Sequence, residues 1–471
     1  DTQTSSSSSS SSLSTQGEHA PTAGSKSPMK RIPLRNASAA EWTYGDSSLA
    51  LASSAAAGRY GHVDLSAGAL HAPAVALSQR LLGNRGPGHE WAERCFFSES
   101  TGAAMEVALK MGLRLYVKRN DTTLDDLENE DIYLDCLTQS DSYHGDSLGA
   151  MNLCEPSVQN EAQHPWYEPR SFSLPSPTLG YRRGQLSISF PEGLEATEKA
   201  ITSFDSIADA MDINARLLSP RLLSEYREII EMQWLVYEHK EVNRKIGCLV
   251  LEPILQASGG MKFVDPVWQR ALIDVAKKRN IPVIFDEATS GLHRLGVASC
   301  RELLQSDPDV ACYGKSLTGL SPLGVTLASK EVFDAFSGDN PSDALLHRDN
   351  YMAYPMGCVA ALHVLESYDR GLQTIPKGNF HEPRMLFDEE QVRSLSMLPL
   401  VEQSFSYGSV MTVTLVDDVE DTHDASALVR QLRDRGIHAR PMGNVIYLMM
   451  SPMAKQEDCD RLLALIRAVL T

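Results

Sequence analysis

The sequence contains no apolar run approaching the 18 or more residues that span a bilayer, and its eight cysteines form no CxxC pair. It is short of positive charge as well: 43 Lys and Arg face 61 Asp and Glu, a net −18. Nothing therefore suggests a helical membrane span. The acidic balance argues against nucleic acid or an anionic membrane surface as the main partner. Scattered thiols, with Cys248 and Cys312 inside apolar runs, fit a reducing compartment better than secretion.

What is present fills a large core. The chain has 471 residues, 42% apolar and 22% charged, enough for two domains. It opens on Asp1 rather than Met, so a processed or excised N-terminus is expected. A polyserine tract, Ser5–Ser12, and a Pro-, Ser- and Ala-rich stretch make residues 1–57 an expected flexible, low-complexity segment. With no apolar centre it is not a secretory signal.

From Gly58 onward strands and helices alternate. CFFSES precedes the helical pattern of residues 100–119, whose apolar positions are Ala104, Val107, Ala108, Met111 and Leu115. Little periodicity is visible from about 154 to 194, which reads as a long loop. KIGCLVLEP, PVIFDE, DVACYG and LGVTLAS then read as buried strands, with DPVWQRALIDVAKKRN as a helix between the first two. This rhythm predicts an α/β fold: a large, mostly parallel α/β/α sheet domain over 58–350, then a small α+β domain over 351–471.

The chemistry lies at strand ends. One apolar strand closes on Asp286 and Glu287, and the next, followed by Gly314, closes on Lys315. Open α/β sheets place their sites at the carboxyl ends of strands. An acid and a lysine delivered there suit pyridoxal 5′-phosphate: the carboxylate keeps the pyridine nitrogen protonated, and the lysine is the covalent partner. The Gly-Lys-Ser run is not a phosphate loop, because position 309, where that motif needs glycine, is Asp. Ser100, Thr101 and Gly102 open a helix whose free N–H groups favour a phosphate. Tyr143 and His144 sit in a Gly-containing turn, where an aromatic ring can stack on a cofactor. Ala288 falls on the same face as Asp286 and is small enough to support a ring. Arg440 precedes a late strand and is the residue type that forks a carboxylate.

With these residues in place the chain resembles the fold-type I, class III aminotransferases, and within them the diaminononanoate synthases of biotin synthesis. The likeness is nearest to the aminotransferase part of plant and fungal proteins fused to dethiobiotin synthetase. It runs from about Gly58 to the C-terminus through GRYGHV, HAPAVAL, SESTGAAMEVALKM, SYHGDSLGAM, HPWYEPR, LVLEPILQASGG, IFDEATSGLHRLG, YGKSLTG, LLHRDNYMAYPMGC and RPMGNVIYLM. The resemblance implies a homodimer, S-adenosylmethionine as amino donor, 7-keto-8-aminopelargonate as acceptor and a mitochondrial location, with the cytoplasm as the alternative because no targeting peptide is visible; no metal is expected. It implies that Lys315 is the Schiff-base lysine, Asp286 the partner of the ring nitrogen and Tyr143 the stacking residue. Arg440 takes the acceptor's carboxylate beside Tyr447, and Asn350, within His347–Tyr351, reaches the neighbouring subunit's cofactor phosphate. The chain departs from the pattern at Thr101-Gly102, at Asn350, and in lacking a tandem tryptophan near the N-terminus, where its first is Trp42. Those departures leave open a class III transaminase with another acceptor (an amino acid, polyamine or secondary metabolite) or a catalytically weak homologue.

Overall fold

The structure is a computed structural model describing residues 47–61, 68–157, 160, 165–194, 202–319, 321–348, 350–373, 383–416 and 425–471. Ser5–Ser12 and Trp42 lie outside the described residues. Strands are numbered in chain order. The first sheet contains β1 (Arg94–Ser98), β2 (Tyr133–Gln139), β3 (Ser171–Leu174), β7 (Arg244–Leu251), β10 (Val283–Asp286), β11 (Val310–Tyr313) and β12 (Gly324–Ala328), in the order β1-β12-β11-β10-β7-β2-β3. β12 runs antiparallel to both its neighbours; the other ladders are parallel. Every residue of β10, β11 and β12 is buried, as expected of strands covered on both faces.

The second sheet is antiparallel. It joins β13 (Val401–Tyr407), β14 (Val410–Leu415), β15 (Arg440–Met442) and β16 (Val445–Met449) to β4 (Thr178–Arg182), β5 (Gln185–Ser189) and β6 (Ser203–Phe204). The stretch expected to be a long loop thus holds β3, β4 and β5. β4 and β5 meet through Arg183 and Gly184, both with positive φ, the geometry that suits the twist of a two-residue hairpin. A boundary at residue 350 does not separate the two sheets. A short ribbon, β8 (Leu255–Gln256) with β9 (Lys262–Phe263), lies between β7 and the helix Pro266–Lys278.

Three helices come from the first part of the chain, of which α2 meets β1 and α3 lies on the first sheet. α1 (Ser47–Tyr60) corrects the expectation of a flexible segment to residue 57: Leu49, Ser53 and Ala56, one turn apart, are buried. α2 (Ala72–Leu82) starts at His71, whose ring accepts the Ala74 N–H. α3 (Thr101–Arg119) is capped by the Ser100 hydroxyl, carries Lys118 and Arg119 in its last turn, and buries eleven residues against the sheet. Phe405, Val410 and Tyr447 of the second sheet enter the same apolar core as Leu249, Phe285 and Val325 of the first. The other face of the second sheet packs on the helices Ala425–Asp434 and Gln456–Leu470.

Two buried ionisable side chains pin this frame. Arg294, 1% exposed, donates to Ser409 Oγ (3.2 Å), the Met450 carbonyl (2.6 Å) and Ser316 Oγ (3.3 Å), tying the second sheet to the turn after β11. Asp265, fully buried, caps the helix Pro266–Lys278 and receives Arg216 (2.6 and 3.0 Å) and the Tyr226 hydroxyl (3.0 Å). Replacing Asp265 with Ala removes the cap and leaves the Arg216 guanidinium without its carboxylate. The expected cost is about 3–5 kcal/mol of unfolding free energy, read from urea denaturation.

Candidate active site

Four neighbouring parallel strands, β11, β10, β7 and β2, deliver their following residues at one end of the first sheet, beyond their carboxyl ends. There they wall a cleft of about 610 Å³. Its walls include Ser100, Thr101, Gly102, Tyr143, His144, Asp286, Ala288 and Lys315, eight positions that the sequence singles out. Three other expected positions are not among its described walls. Arg440 and Tyr447 are cross-strand partners on β15 and β16, the arginine exposed and the tyrosine buried. Asn350 is exposed, although His347 of the same stretch reaches the cleft.

Asp286 forms the buried floor. Its Oδ2 lies 2.9 Å from His144 Nδ1, and its Oδ1 accepts the Ala288 N–H at 3.1 Å. Burial works against a charged His144, but the hydrogen bond and charge of Asp286, with the charge of Glu252, push its pKa above the ordinary value. Glu287, the second acid of the pair, turns the other way because strand residues alternate. It accepts from Ser299 Oγ, the Cys300 N–H and the Tyr313 hydroxyl (2.5, 2.7 and 2.7 Å), and burial raises its pKa despite those bonds. Glu287 braces the core and leaves the cleft to Asp286.

Lys315 opens the turn after β11 with φ +34°, left-handed for a residue with a side chain, and its Nζ lies 3.0 Å from Thr289 Oγ1. Strain of this kind persists where the surroundings over-determine the backbone, and it clusters at functional sites. The surroundings are explicit: Arg294 holds the next residue, Ser316, and a Cβ on Gly314 would fall 1.9 Å from Thr101 Oγ1. Gly314 is thus the contact that seats the lysine turn against the first turn of α3. At that helix start the Ser100 hydroxyl takes the Ala103 N–H, while Thr101 and Gly102 face the cleft. Tyr143 is 38% exposed at the rim; burial and a hydrogen bond with Asp146 raise its pKa.

Sequence reasoning missed Glu252, Thr289, Glu106, Lys110 and Asp146, which also face the cleft. Glu252 carried the same signal as Asp286, an acid closing an apolar strand. Thr289 and Asp146 were within three residues of assigned positions. Glu106 and Lys110 follow Gly102 by one and two helical turns. Among the described residues no group of His, Cys, Asp and Glu could hold a metal ion.

This donor set fits pyridoxal phosphate by its chemistry. A buried carboxylate already braced by a histidine faces the space, an amine stands at the end of the adjacent strand, and the start of a 19-residue helix lies alongside.

Comparison with known proteins agrees. The family model for class-III aminotransferases matches residues 52–470. The chain is 37% identical, over 92% of its length, to the "Bifunctional dethiobiotin synthetase/7,8-diamino-pelargonic acid aminotransferase, mitochondrial" of Oryza sativa subsp. japonica, covering 54% of that protein. It is 33% identical to the bifunctional dethiobiotin synthetase/adenosylmethionine-8-amino-7-oxononanoate aminotransferase of Emericella nidulans, over 92% of this chain and 59% of that one. The chain thus spans little more than half the length of these relatives. Among solved structures, the adenosylmethionine-8-amino-7-oxononanoate aminotransferase of Methanocaldococcus jannaschii superposes with a TM-score of 0.67 at 22% identity, over 90% of this chain and 84% of that one. An amine transaminase from an uncultivated Pseudomonas species, in PLP-bound form, gives 0.67 at 22%, over 91% and 87%. At those identities the likeness establishes the fold.

Gly314→Ala drives a methyl group into Thr101. An overpacking cost of about 1–3 kcal/mol is expected, with a lower unfolding temperature and weaker cofactor retention on dialysis.

Proposed function

This chain belongs to the class-III aminotransferase family, and we propose that it moves the amino group of S-adenosylmethionine to 7-keto-8-aminopelargonate, giving 7,8-diaminopelargonate for biotin synthesis. Its cofactor is pyridoxal 5′-phosphate. The observation that carries the reading is the delivery of Asp286 and Lys315 by adjacent strands into one cleft beside the α3 N-terminus. The substrates come from the names of the relatives at 33–37% identity.

When bound, the cofactor supplies a carbonyl for amines and a ring that draws electrons from the adjoining carbon. Asp286 would hold the ring nitrogen, and His144, bonded to it, keeps the carboxylate in place. The N–H groups of Thr101 and Gly102 would hold the phosphate, and Tyr143 would stack on the ring. Lys315 Nζ, oriented by Thr289, removes the proton from the donor's α-carbon and returns one to the acceptor's carbon in the second half. Arg440 forks the acceptor's carboxylate with Tyr447 beside it. The exposed Asn350, with His347, belongs to the reading as a homodimer in which that stretch meets the partner's phosphate. A dethiobiotin synthetase, fused in the relatives, is the proposed fused or partner protein. A mitochondrial location follows the rice name.

Lys315→Ala is expected to slow the half-reaction with S-adenosylmethionine by at least about 10²–10⁴. Borohydride applied to the wild-type protein should leave the cofactor's mass on the peptide containing Lys315. Failure of S-adenosylmethionine to aminate the cofactor, with another amine succeeding, would transfer the chain to a different acceptor and donor pair. Arg440→Ala should lower kcat/KM for the keto acid roughly 10- to 100-fold and leave the donor half-reaction unchanged. Stopped-flow measurement of the two halves separates these effects.

A further inference from the structure

Glu252 ends β7 with a carboxyl group that has no part in the chemistry above, yet it is 5% exposed and faces the cleft. Its Oε2 accepts the N–H of Tyr143 at 3.2 Å, and its Oε1 accepts the N–H of Ala257 at 3.1 Å. The backbone at Glu252 is fixed independently. Gln269 Nε2 donates to the Glu252 carbonyl at 2.8 Å and is itself held by Gln139 Oε1 at 2.9 Å. One side chain therefore joins the end of β7 to the turn that carries both Tyr143 and His144.

This joint depends on the proton count of the carboxyl group. Ionised, it accepts strongly at both oxygens; protonated, one oxygen becomes a hydroxyl that donates and is a much weaker acceptor, so one of the two amide bonds weakens. A hydrogen bond to a charged acceptor is worth more than one to a neutral hydroxyl, so the turn loosens. We infer that Glu252 is a positioning residue, a proton-operated latch on the Tyr143–His144 turn that sets how firmly the cofactor is held. The inference rests on the cofactor reading above.

The surroundings place the latch in a useful range. The charged or titratable groups that act on Glu252 or feel it are His144 on the same turn, Asp286 at the end of β10, and Cys154 beyond the turn. Burial raises the carboxyl to about 7; Asp286 adds to the rise, and His144 and the two amides oppose it. Raising the pH through that value ionises Glu252, closes the latch and tightens binding; lowering it does the reverse. The same shift has an opposite sign for folding. Between the ordinary carboxyl value and 7 the native chain holds the extra proton, so the fold of the cofactor-free chain weakens as pH rises. Tighter binding at higher pH is therefore not a by-product of a firmer fold.

The full chain, stripped of cofactor, is titrated with pyridoxal phosphate by tryptophan fluorescence at a pH well below and a pH well above 7. Wild type, Glu252→Gln and Glu252→Ala are compared, with unfolding temperatures recorded for each. The cofactor's own ionisations are common to all three and cancel in the comparison. Wild type should gain affinity on the order of tenfold across the range, in line with one hydrogen bond to a charged acceptor. Glu252→Gln should lack that gain, because an amide side chain accepts only through its single oxygen. A Glu252→Gln protein that follows the wild-type step overturns the inference. If both variants fail to fold, hydrogen exchange of the wild-type peptide 140–147, corrected for intrinsic rate, decides instead. Equal protection on both sides of 7 overturns it. A wild-type chain that binds no cofactor at any pH defeats the functional reading itself, a separate result.

Discussion

The site depends on hydrogen-bonded registration of four parallel strands. Adjacent strands stand about 4.8 Å apart, so ladders that pair Asp286 with Cys312 and Phe285 with Leu251 fix where the following residues emerge. Lys315, Asp286, Glu252 and the Tyr143–His144 turn inherit their spacing from that backbone lattice. None depends on a long flexible loop for its position. The side chains then need only short-range help: Thr289 for the lysine, His144 for the aspartate and two amides for the glutamate.

Burial makes these partners compulsory. A carboxylate withdrawn from water is costly unless its oxygens are occupied. Asp286 meets this with a histidine and a backbone amide, and Glu287 with a hydroxyl, an amide and a phenol. Two consecutive acids thus take opposite environments. Asp286 opens on the cleft, while Glu287 is consumed by the core. The distinction arises from strand alternation, not from residue type.

Much of this could be read from the sequence, and the failures have identifiable causes. β7, β10 and β11 are continuous apolar runs, so their ends and the acid and lysine that follow were visible. β2 was passed over because YLDCLTQ carries Asp135, Thr138 and Gln139 among its seven residues. Each is buried with a dedicated partner: Arg244 and Tyr237 for the aspartate, Ser173 for the threonine, Ser176 and Gln269 for the glutamine. Polar residues paired across tertiary contacts hide a strand from any pattern of hydrophobicity. α1 was hidden by composition, since its Ala- and Ser-rich face gains its meaning only from burial of Leu49, Ser53 and Ala56. Arg440 leaned on the resemblance and Tyr447 rested on it alone; the two lie side by side on the second sheet.

β4, β5 and β6 leave the first sheet's chain between β3 and β7 and join strands formed more than two hundred residues later. The polypeptide therefore passes from one sheet to the other and back before its final crossing. No single cut can release either layer as a continuous piece. The layer that carries the cleft and its companion are interlaced by chain topology, so they must be inherited, shuffled or expressed as one block.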